Sequence, residues 1–343
     1  MRMTETRSGP EIFSTCPPSV DVDERYLKQV IRTAQWSERA GCTGMLIYAD
    51  NSQVDPWLLA QVVIEHTEEL APLVAVQPVY MHPYTVAKRI SSIAALYGRR
   101  VCLNMVAGGF RNDLLALNDA TPHDLRYDRL VEYTQILIQL LRGETVNFHG
   151  TFYRVDGLRL APTCPPELFP GLFVSGSSDA GQAAARALGA TAIEYPQPAR
   201  DGRAAATGNA GIRVGVISRS DAEAAWAVAE ERFPPDRKGQ LTRQLAMKVS
   251  DSSWHEQLST LARARGGRRD TYWLVPFENY KSVCPYLVGD HRSVGAELAA
   301  YVDLGYRTFI TDVPADPEDL GHIARAFSYA LEDIKCRNAY KTG

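Results

Sequence analysis

Several absences narrow the reading before any motif is found. The six cysteines (Cys16, Cys42, Cys102, Cys164, Cys284 and Cys336) contain no CxxC pair and no metal-finger spacing. They read as free thiols in a reducing compartment. No apolar run approaches the ~20 residues of a membrane span, and the opening MRMTETRSGP lacks the apolar core of a secretory leader. A soluble cytoplasmic protein with no membrane partner is the expectation. Positive charge is not in excess either: 37 Lys and Arg stand against 40 Asp and Glu, a net charge of −3. No global basic field points to nucleic acid. No GxGxxG follows the first apolar run, which weakens a dinucleotide-binding reading. There is no GxSxG elbow, and no His, Asp and Glu set has metal-ligand spacing.

What is present is a repeated alternation of short apolar runs and amphipathic stretches. EIFSTC (11–16), TGMLIY (43–48), PLVAVQ (72–77), RVCLNMV (100–106), GLFVSG (171–176), TAIEY (191–195), IRVGVIS (212–218) and RTFITDV (307–313) read as strands. Runs apolar on both faces belong to parallel sheets covered by helices. Helices are predicted over 56–69, 84–97, 179–188, 221–232, 291–304 and 316–334, with another from Thr121 to about Gly143. Asp21 with Glu24, and Ser220 with Glu223, have the spacing of capping boxes. Thr121-Pro122-His123-Asp124 has the order of a capped helix start.

Repeated strand-then-helix units over a chain this long predict an α/β fold with a closed (β/α)8 TIM barrel, read as a single domain over 1–343. An open doubly wound sheet is the alternative. TVNFHGTFYRVDGLRL (145–160) alternates with period two around His149-Gly150 and reads as a β-hairpin insertion. Residues 234–270 are charged and poor in large apolar side chains, as expected of short helices in a mobile insertion.

Barrel enzymes carry their chemistry at the carboxyl ends of the strands. Here those positions are Ser14–Cys16, Tyr48–Gln53, Gln77–His82, Asn104–Gly109, Ser175–Asp179, Tyr195–Gln197, Arg213–Ser218 and Asp312–Val313. Ser175-Gly176-Ser177-Ser178 leads from a strand into a helix start, where backbone N–H groups and two hydroxyls suit a phosphate; ordinary helix capping is the competing reading. The loop from Asn104 through Ala107 to Gly109 is flat enough for a planar ring, or is simply a tight turn. Arg126-Tyr127 suits either phosphate contact or a surface pair. Arg213 interrupts a Val- and Ile-rich strand, so its guanidinium needs an anion. That anion is either a ligand or an internal carboxylate such as Glu194. His82 is a base or a loop residue, and the remaining histidines read as structural.

The blocks LNMVAGG (103–109), HDLRYDRLVEYTQ (123–135), LLRGETVNFHGTFYRVDG (140–157) and GLFVSGSSDAG (171–181) resemble the luciferase-like flavin monooxygenases, most of all their alkanesulfonate monooxygenase branch. The likeness runs over roughly residues 25–335. It implies a barrel of the bacterial luciferase type that binds reduced FMN (FMNH2) and uses O2 through a C4a-peroxyflavin. It also implies a separate NAD(P)H-dependent flavin reductase as partner, and a dimer or tetramer. By the same resemblance Ser177 and Ser178 would hold the FMN phosphate with Tyr127, Ser175 and Gly176 beside them. Gln77, Asn104 and Ala107 would lie along the flavin. Arg213 would act near the reacting oxygen, and segment 234–283 would be a lid.

The pocket departs from the sulfonate branch. Gly215 stands where that branch has a histidine, Gln53 and Ser52 lie near its cysteine position, and Val313 replaces a tyrosine. Tyr48, Gln53, Tyr280 and Lys281 are the candidate substrate-binding residues. The expected substrate is a small organic molecule. The alternatives are N- or C-oxygenation of an amine or specialised metabolite, and deazaflavin (F420)-dependent hydride transfer on the same fold.

Overall fold

The computed structural model describes residues 9–19, 22–109, 111–201, 205, 209–247, 253–265 and 269–341. In chain order the strands are β1 (Glu11–Thr15), β2 (Gly44–Ile47), β3 (Ala71–Val76), β4 (Cys102–Val106), β5 (Val146–His149), β6 (Arg154–Leu158), β7 (Leu172–Ser175), β8 (Thr191–Glu194), β9 (Ala210–Arg213), β10 (Gly215–Arg219), β11 (Tyr272–Trp273), β12 (Tyr286–Asp290) and β13 (Tyr306–Ile310). The helices are α1 (Tyr26–Arg39), α2 (Pro56–His66), α3 (Pro83–Tyr97), α4 (Arg111–Ala116), α5 (His123–Leu141), α6 (Asp179–Leu188), α7 (Ala222–Arg232), α8 (Arg237–Met247), α9 (Ser253–Arg265), α10 (Val275–Glu278), α11 (His291–Asp303) and α12 (Pro317–Lys341).

Eight parallel strands close into a barrel in the order β1-β13-β9-β8-β7-β4-β3-β2. Closure comes from β1, which pairs with β2 on one side and with β13 on the other. The predicted (β/α)8 barrel is therefore the observed one. β5 and β6 form a separate antiparallel pair, and β10-β12-β11 a third small sheet.

Side chains on a strand alternate in and out. The inward set packs as its own cluster of Phe13, Leu46, Ala71, Leu73, Cys102, Phe173, Ile193 and Ile310. Phe13 meets Phe173 edge to face at 5.4 Å between ring centroids. Gly44 leaves room for Phe13, since a Cβ there would lie 2.7 Å from that ring. The outward set, with Val74, Leu103, Val174 and Ile212 among it, packs against the helices.

Three local expectations are corrected, and a fourth falls outside the described residues. IRVGVIS is not one strand. Arg213 ends β9 in the barrel, Val214 N–H donates to Ile310 C=O at 3.0 Å, and Gly215 N–H donates to Pro285 C=O at 2.8 Å. From there β10 leaves the barrel and pairs with β12, because the YLVGD run is itself a strand. The cap of α7 is Asp221, not Ser220: its side chain accepts from Ala224 N–H at 2.9 Å. The helix predicted from Thr121 begins at His123, and the Thr121 hydroxyl instead donates to Asp119 Oδ1 at 2.5 Å. Asp21 lies outside the described residues. The start of α1 is served by Asp23, whose Oδ1 accepts from Arg25 N–H at 2.8 Å and Tyr26 N–H at 3.1 Å. An acid one or two residues from the expected cap does the same work, since only the reach to the free N–H groups matters.

Candidate active site

The inward register continues past the strand ends. Two residues beyond Leu46 comes Tyr48, beyond Ala75 comes Gln77, beyond Cys102 comes Asn104, beyond Phe173 comes Ser175, beyond Ile193 comes Tyr195, and beyond Ile310 comes Asp312. All six line one cavity, as does Arg213, two residues after the inward Gly211. Period two thus converts an apolar barrel floor into a polar chamber at its carboxyl end. The cavity is about 550 Å³, inside the ~300–1,000 Å³ range of cofactor and small-molecule sites. All thirteen residues singled out from the sequence line it: Arg213, Gln77, Asn104, Ala107, Tyr127, Ser175, Gly176, Ser177, Ser178, Tyr48, Gln53, Tyr280 and Lys281.

On one wall β7 runs into α6. Ser178 is the N-cap, and its hydroxyl oxygen accepts from Gly181 N–H at 3.2 Å. Tyr127, from α5, donates to Ser175 C=O at 3.3 Å, and Ser175 Oγ donates to Asn104 Oδ1 at 2.8 Å. Burial raises the Tyr127 phenol above its usual range, against a lowering contact from Ser178. Gly176 is there because nothing larger fits: a Cβ would collide with the Tyr127 hydroxyl. The Ser177 hydroxyl is buried with no hydrogen-bond partner. A buried orphan hydroxyl beside a helix N-terminus and a Cβ-free approach fits an anionic oxygen.

Two strands round the ring, with β8 between, Arg213 ends β9 and has its side chain 7% exposed. Its nearest carboxylate is Asp312, with Nη2 to Oδ1 at 3.9 Å, and its guanidinium lies 4.7 Å from the Tyr48 ring centroid. Glu194, the internal partner weighed from the sequence, is taken by Gln182 at 3.2 Å and Tyr306 at 3.4 Å. Arg213 Nε and Nη2 have no hydrogen-bond partner. Arg213 lines the cavity, and donors left unused by the protein suit an oxygen-bearing ligand.

Asp312 does more than face Arg213. Its Oδ2 accepts from Ser282 Oγ at 2.6 Å and Tyr286 Oη at 2.8 Å, and its Oδ1 from Val313 N–H at 2.9 Å. It thereby ties the 280–283 stretch to the barrel rim. Burial, then Asp312, pushes the Cys284 thiol up to about 12, so it is a protonated structural neighbour. Gln53 holds the rim elsewhere, its Oε1 accepting from Ser19 N–H at 2.7 Å and Ser19 Oγ at 2.9 Å. Lys281 reaches Asp236 at 2.8 Å.

Asp50, Asp113 and Tyr80, unmarked by any motif, also line the cavity. Burial and then the Asp50 charge raise the Asp113 carboxyl above its usual range, and burial with both carboxylates pushes Tyr80 up to about 12. Asp50 and Tyr80 were within the strand-end windows. Asp113 sits on α4, beyond any such window. His82 caps α3: its Nδ1 accepts from Tyr84 N–H at 3.2 Å. His123, read as structural, lines the cavity and contacts Asp124 at 2.7 Å.

A profile of luciferase-like monooxygenases matches residues 11–308. The chain belongs to the luciferase-like monooxygenase family. Among curated proteins it is 35% identical over 312 residues to 4-(gamma-L-glutamylamino)butanoyl-(BtrI acyl-carrier protein) monooxygenase BtrO of Niallia circulans, covering 88% of this chain and 91% of the relative. Among solved structures it is similar to the EDTA monooxygenase EmoA of Chelativorans sp. BNC1, at TM-score 0.69 and 19% identity over 96% of this chain and 94% of that one. Riboflavin lyase RcaE matches with TM-score 0.72 and 13% identity over 96% and 92% of the two chains. At these identities the two structures speak to the fold. As a luciferase-like monooxygenase the protein is an enzyme, and its cofactor is of the flavin type. Among the described residues no helix is long and apolar enough to cross a membrane, and no group of His, Cys, Asp and Glu could hold a metal ion.

Proposed function

We propose that the protein is an FMNH2-dependent monooxygenase acting on a small organic substrate, with a separate NAD(P)H-dependent flavin reductase supplying the reduced flavin. One observation carries this reading: Ser177 and Arg213, each with side-chain donors that no hydrogen bond of the protein uses, line a single cavity. Reduced FMN would supply the two electrons and two protons that let one atom of O2 enter the substrate and the other leave as water. Ser177, Ser178 and the N-terminus of α6 would hold its phosphate, with Tyr127 and Gly176 shaping the approach. Gln77, Asn104 and Ala107 would line its ring. Arg213 would neutralise negative charge on the reacting oxygen or on a substrate anion.

The chain reads as one barrel domain with insertions at 145–160 and 234–283. The second would act as a lid, and residues 280–283 already form part of the cavity wall. A closed chamber protects reduced flavin and activated oxygen from water.

For the substrate, the acyl thioester named for the relative at 35% identity is the leading class, delivered on a carrier protein. Alkanesulfonates, and amines or specialised metabolites oxygenated at N or C, are the competing classes. Anaerobic titration with reduced FMN, followed by quenching of the intrinsic tryptophans, tests cofactor binding. Absence of saturation at micromolar flavin would sink the reading. A substrate screen with FMN, NAD(P)H and a generic reductase, scored for product mass with one added oxygen, tests the chemistry. Turnover without O2 on reduced F420 would favour the deazaflavin alternative instead.

A further inference from the structure

Helix α8 turns a mixed face of charge and apolar side chains toward solvent. Arg237 and Lys238 are exposed and form no ion pair among the described residues. Leu241 and Leu245, one and two turns on, are 55% and 64% exposed. Helical spacing puts Arg237, Leu241 and Leu245 on one stripe with Lys238 beside it. Large apolar side chains in consecutive turns of an exposed face ask for a covering surface.

This stripe is wired to the cavity mouth. Gln240 Nε2 donates to Asn279 Oδ1 at 3.0 Å, and Asn279 Nδ2 donates to Pro234 C=O at 2.9 Å. The next two residues, Tyr280 and Lys281, line the cavity, and Lys281 pairs with Asp236 just before α8. Charge is also distributed unevenly along the chain. Residues 234–281 hold nine Lys and Arg against five Asp and Glu, whereas the whole chain has 37 against 40. The positive excess falls in the stretch of chain that leads to Tyr280 and Lys281 in the cavity wall, in an otherwise acidic protein.

We infer that the exposed face of α8 is the docking surface for an acidic carrier protein, which presents the substrate as a thioester on its phosphopantetheine arm. The inference rests on the carrier-delivered substrate class proposed above. Acidic carrier helices complement Arg237 and Lys238, apolar carrier residues cover Leu241 and Leu245, and the arm runs past Tyr280 into the chamber. Such a surface steers encounter through charge and holds register through the apolar core of the patch.

The test uses the full enzyme and the phosphopantetheinylated BtrI acyl-carrier protein. Binding is measured by fluorescence anisotropy, and turnover is compared for the 4-(gamma-L-glutamylamino)butanoyl group on that carrier and on N-acetylcysteamine. The expected result is that Arg237→Glu with Lys238→Glu weakens carrier binding at least tenfold. KM for the carrier-bound substrate rises in step, and the N-acetylcysteamine thioester changes less than twofold. Leu241→Ser gives the same selectivity without altering charge, and added salt weakens the unmodified pair. Equal losses on both substrates would mean that α8 serves only lid closure, and would overturn the docking surface. Unchanged carrier binding in the charge-reversed enzyme would overturn it too. If the unmodified enzyme binds reduced FMN but neither binds the carrier nor oxygenates either thioester, the carrier-delivered reading itself falls.

Discussion

Arg213, at the end of β9, and Asp312, two residues beyond the neighbouring β13, meet at 3.9 Å, near enough for ion pairing and too far for a hydrogen bond. The guanidinium is thus held by charge and by the Tyr48 ring, while Nε and Nη2 make no hydrogen bond within the protein. A fully bonded arginine would have nothing left to offer a ligand.

Replacing Arg213 by alanine is expected to lower kcat by roughly 10²-fold, the cost of removing a donor aimed at developing charge. Arg213→Lys restores only part of it, because the planar fork is lost. Steady-state product formation at saturating flavin measures both. Unchanged kinetics in the alanine variant would remove Arg213 from the chemistry.

Asp312→Asn keeps the shape but removes the charge facing Arg213 and weakens the acceptor for Ser282 and Tyr286. The expected outcome is a lower kcat with a fold that still unfolds cooperatively. Protease sensitivity near 280–283 rises, readable by limited proteolysis and mass mapping. A variant with wild-type kcat and an equally protected segment would contradict this.

Gly176→Ala forces the new methyl against the Tyr127 hydroxyl. Reduced-FMN affinity is expected to fall about tenfold, or ~1.4 kcal/mol. Tyr127→Phe in the same background relieves part of the clash and recovers part of the affinity. Anaerobic quenching titrations follow both.

Asp319 is a buried carboxylate shared by Arg219 at 3.1 Å and Arg232 at 3.0 Å. Asp319→Ala leaves two half-buried guanidinium groups without their anion. The expected cost is about 3–5 kcal/mol of stability, measured by urea unfolding.

Asp119 supplies a pH signature. Burial opposes its ionisation, but Arg129 at 2.7 Å and Thr121 outweigh that and hold the carboxyl at about 2. A carboxyl depressed in the folded state stabilises above its unfolded pKa of ~3.9 and loses that contribution as pH falls toward the folded value. The contribution near neutrality is about 2 kcal/mol. The stability gap between the native enzyme and Asp119→Asn is expected to be full at pH 6 and to close between about pH 4 and pH 2. A gap that does not vary with pH would refute the assignment.

Much of this was legible in the sequence because the signal is local. Apolar runs marked all eight barrel strands, and the two-residue period carried Tyr48, Gln77, Asn104 and Ser175 to one end of the barrel. What was not legible depends on pairing across long separations. The strand breaks at Val214 because Ile310 and Pro285, far along the chain, accept from Val214 and Gly215 N–H. Asp312 gains its meaning from Ser282 and Tyr286 in the same way. Asp113 enters the cavity from a short helix whose own sequence says nothing about a chamber.

The aromatic floor made by Phe13 and Phe173 has a kinetic consequence. Under the proposed function, flavin and substrate would enter a chamber whose base this inward cluster fills. Whatever enters second blocks the exit of whatever entered first. Turnover is then expected to follow a compulsory order, flavin before substrate and product before spent flavin, and steady-state rates measured against substrate concentration should fall at excess substrate.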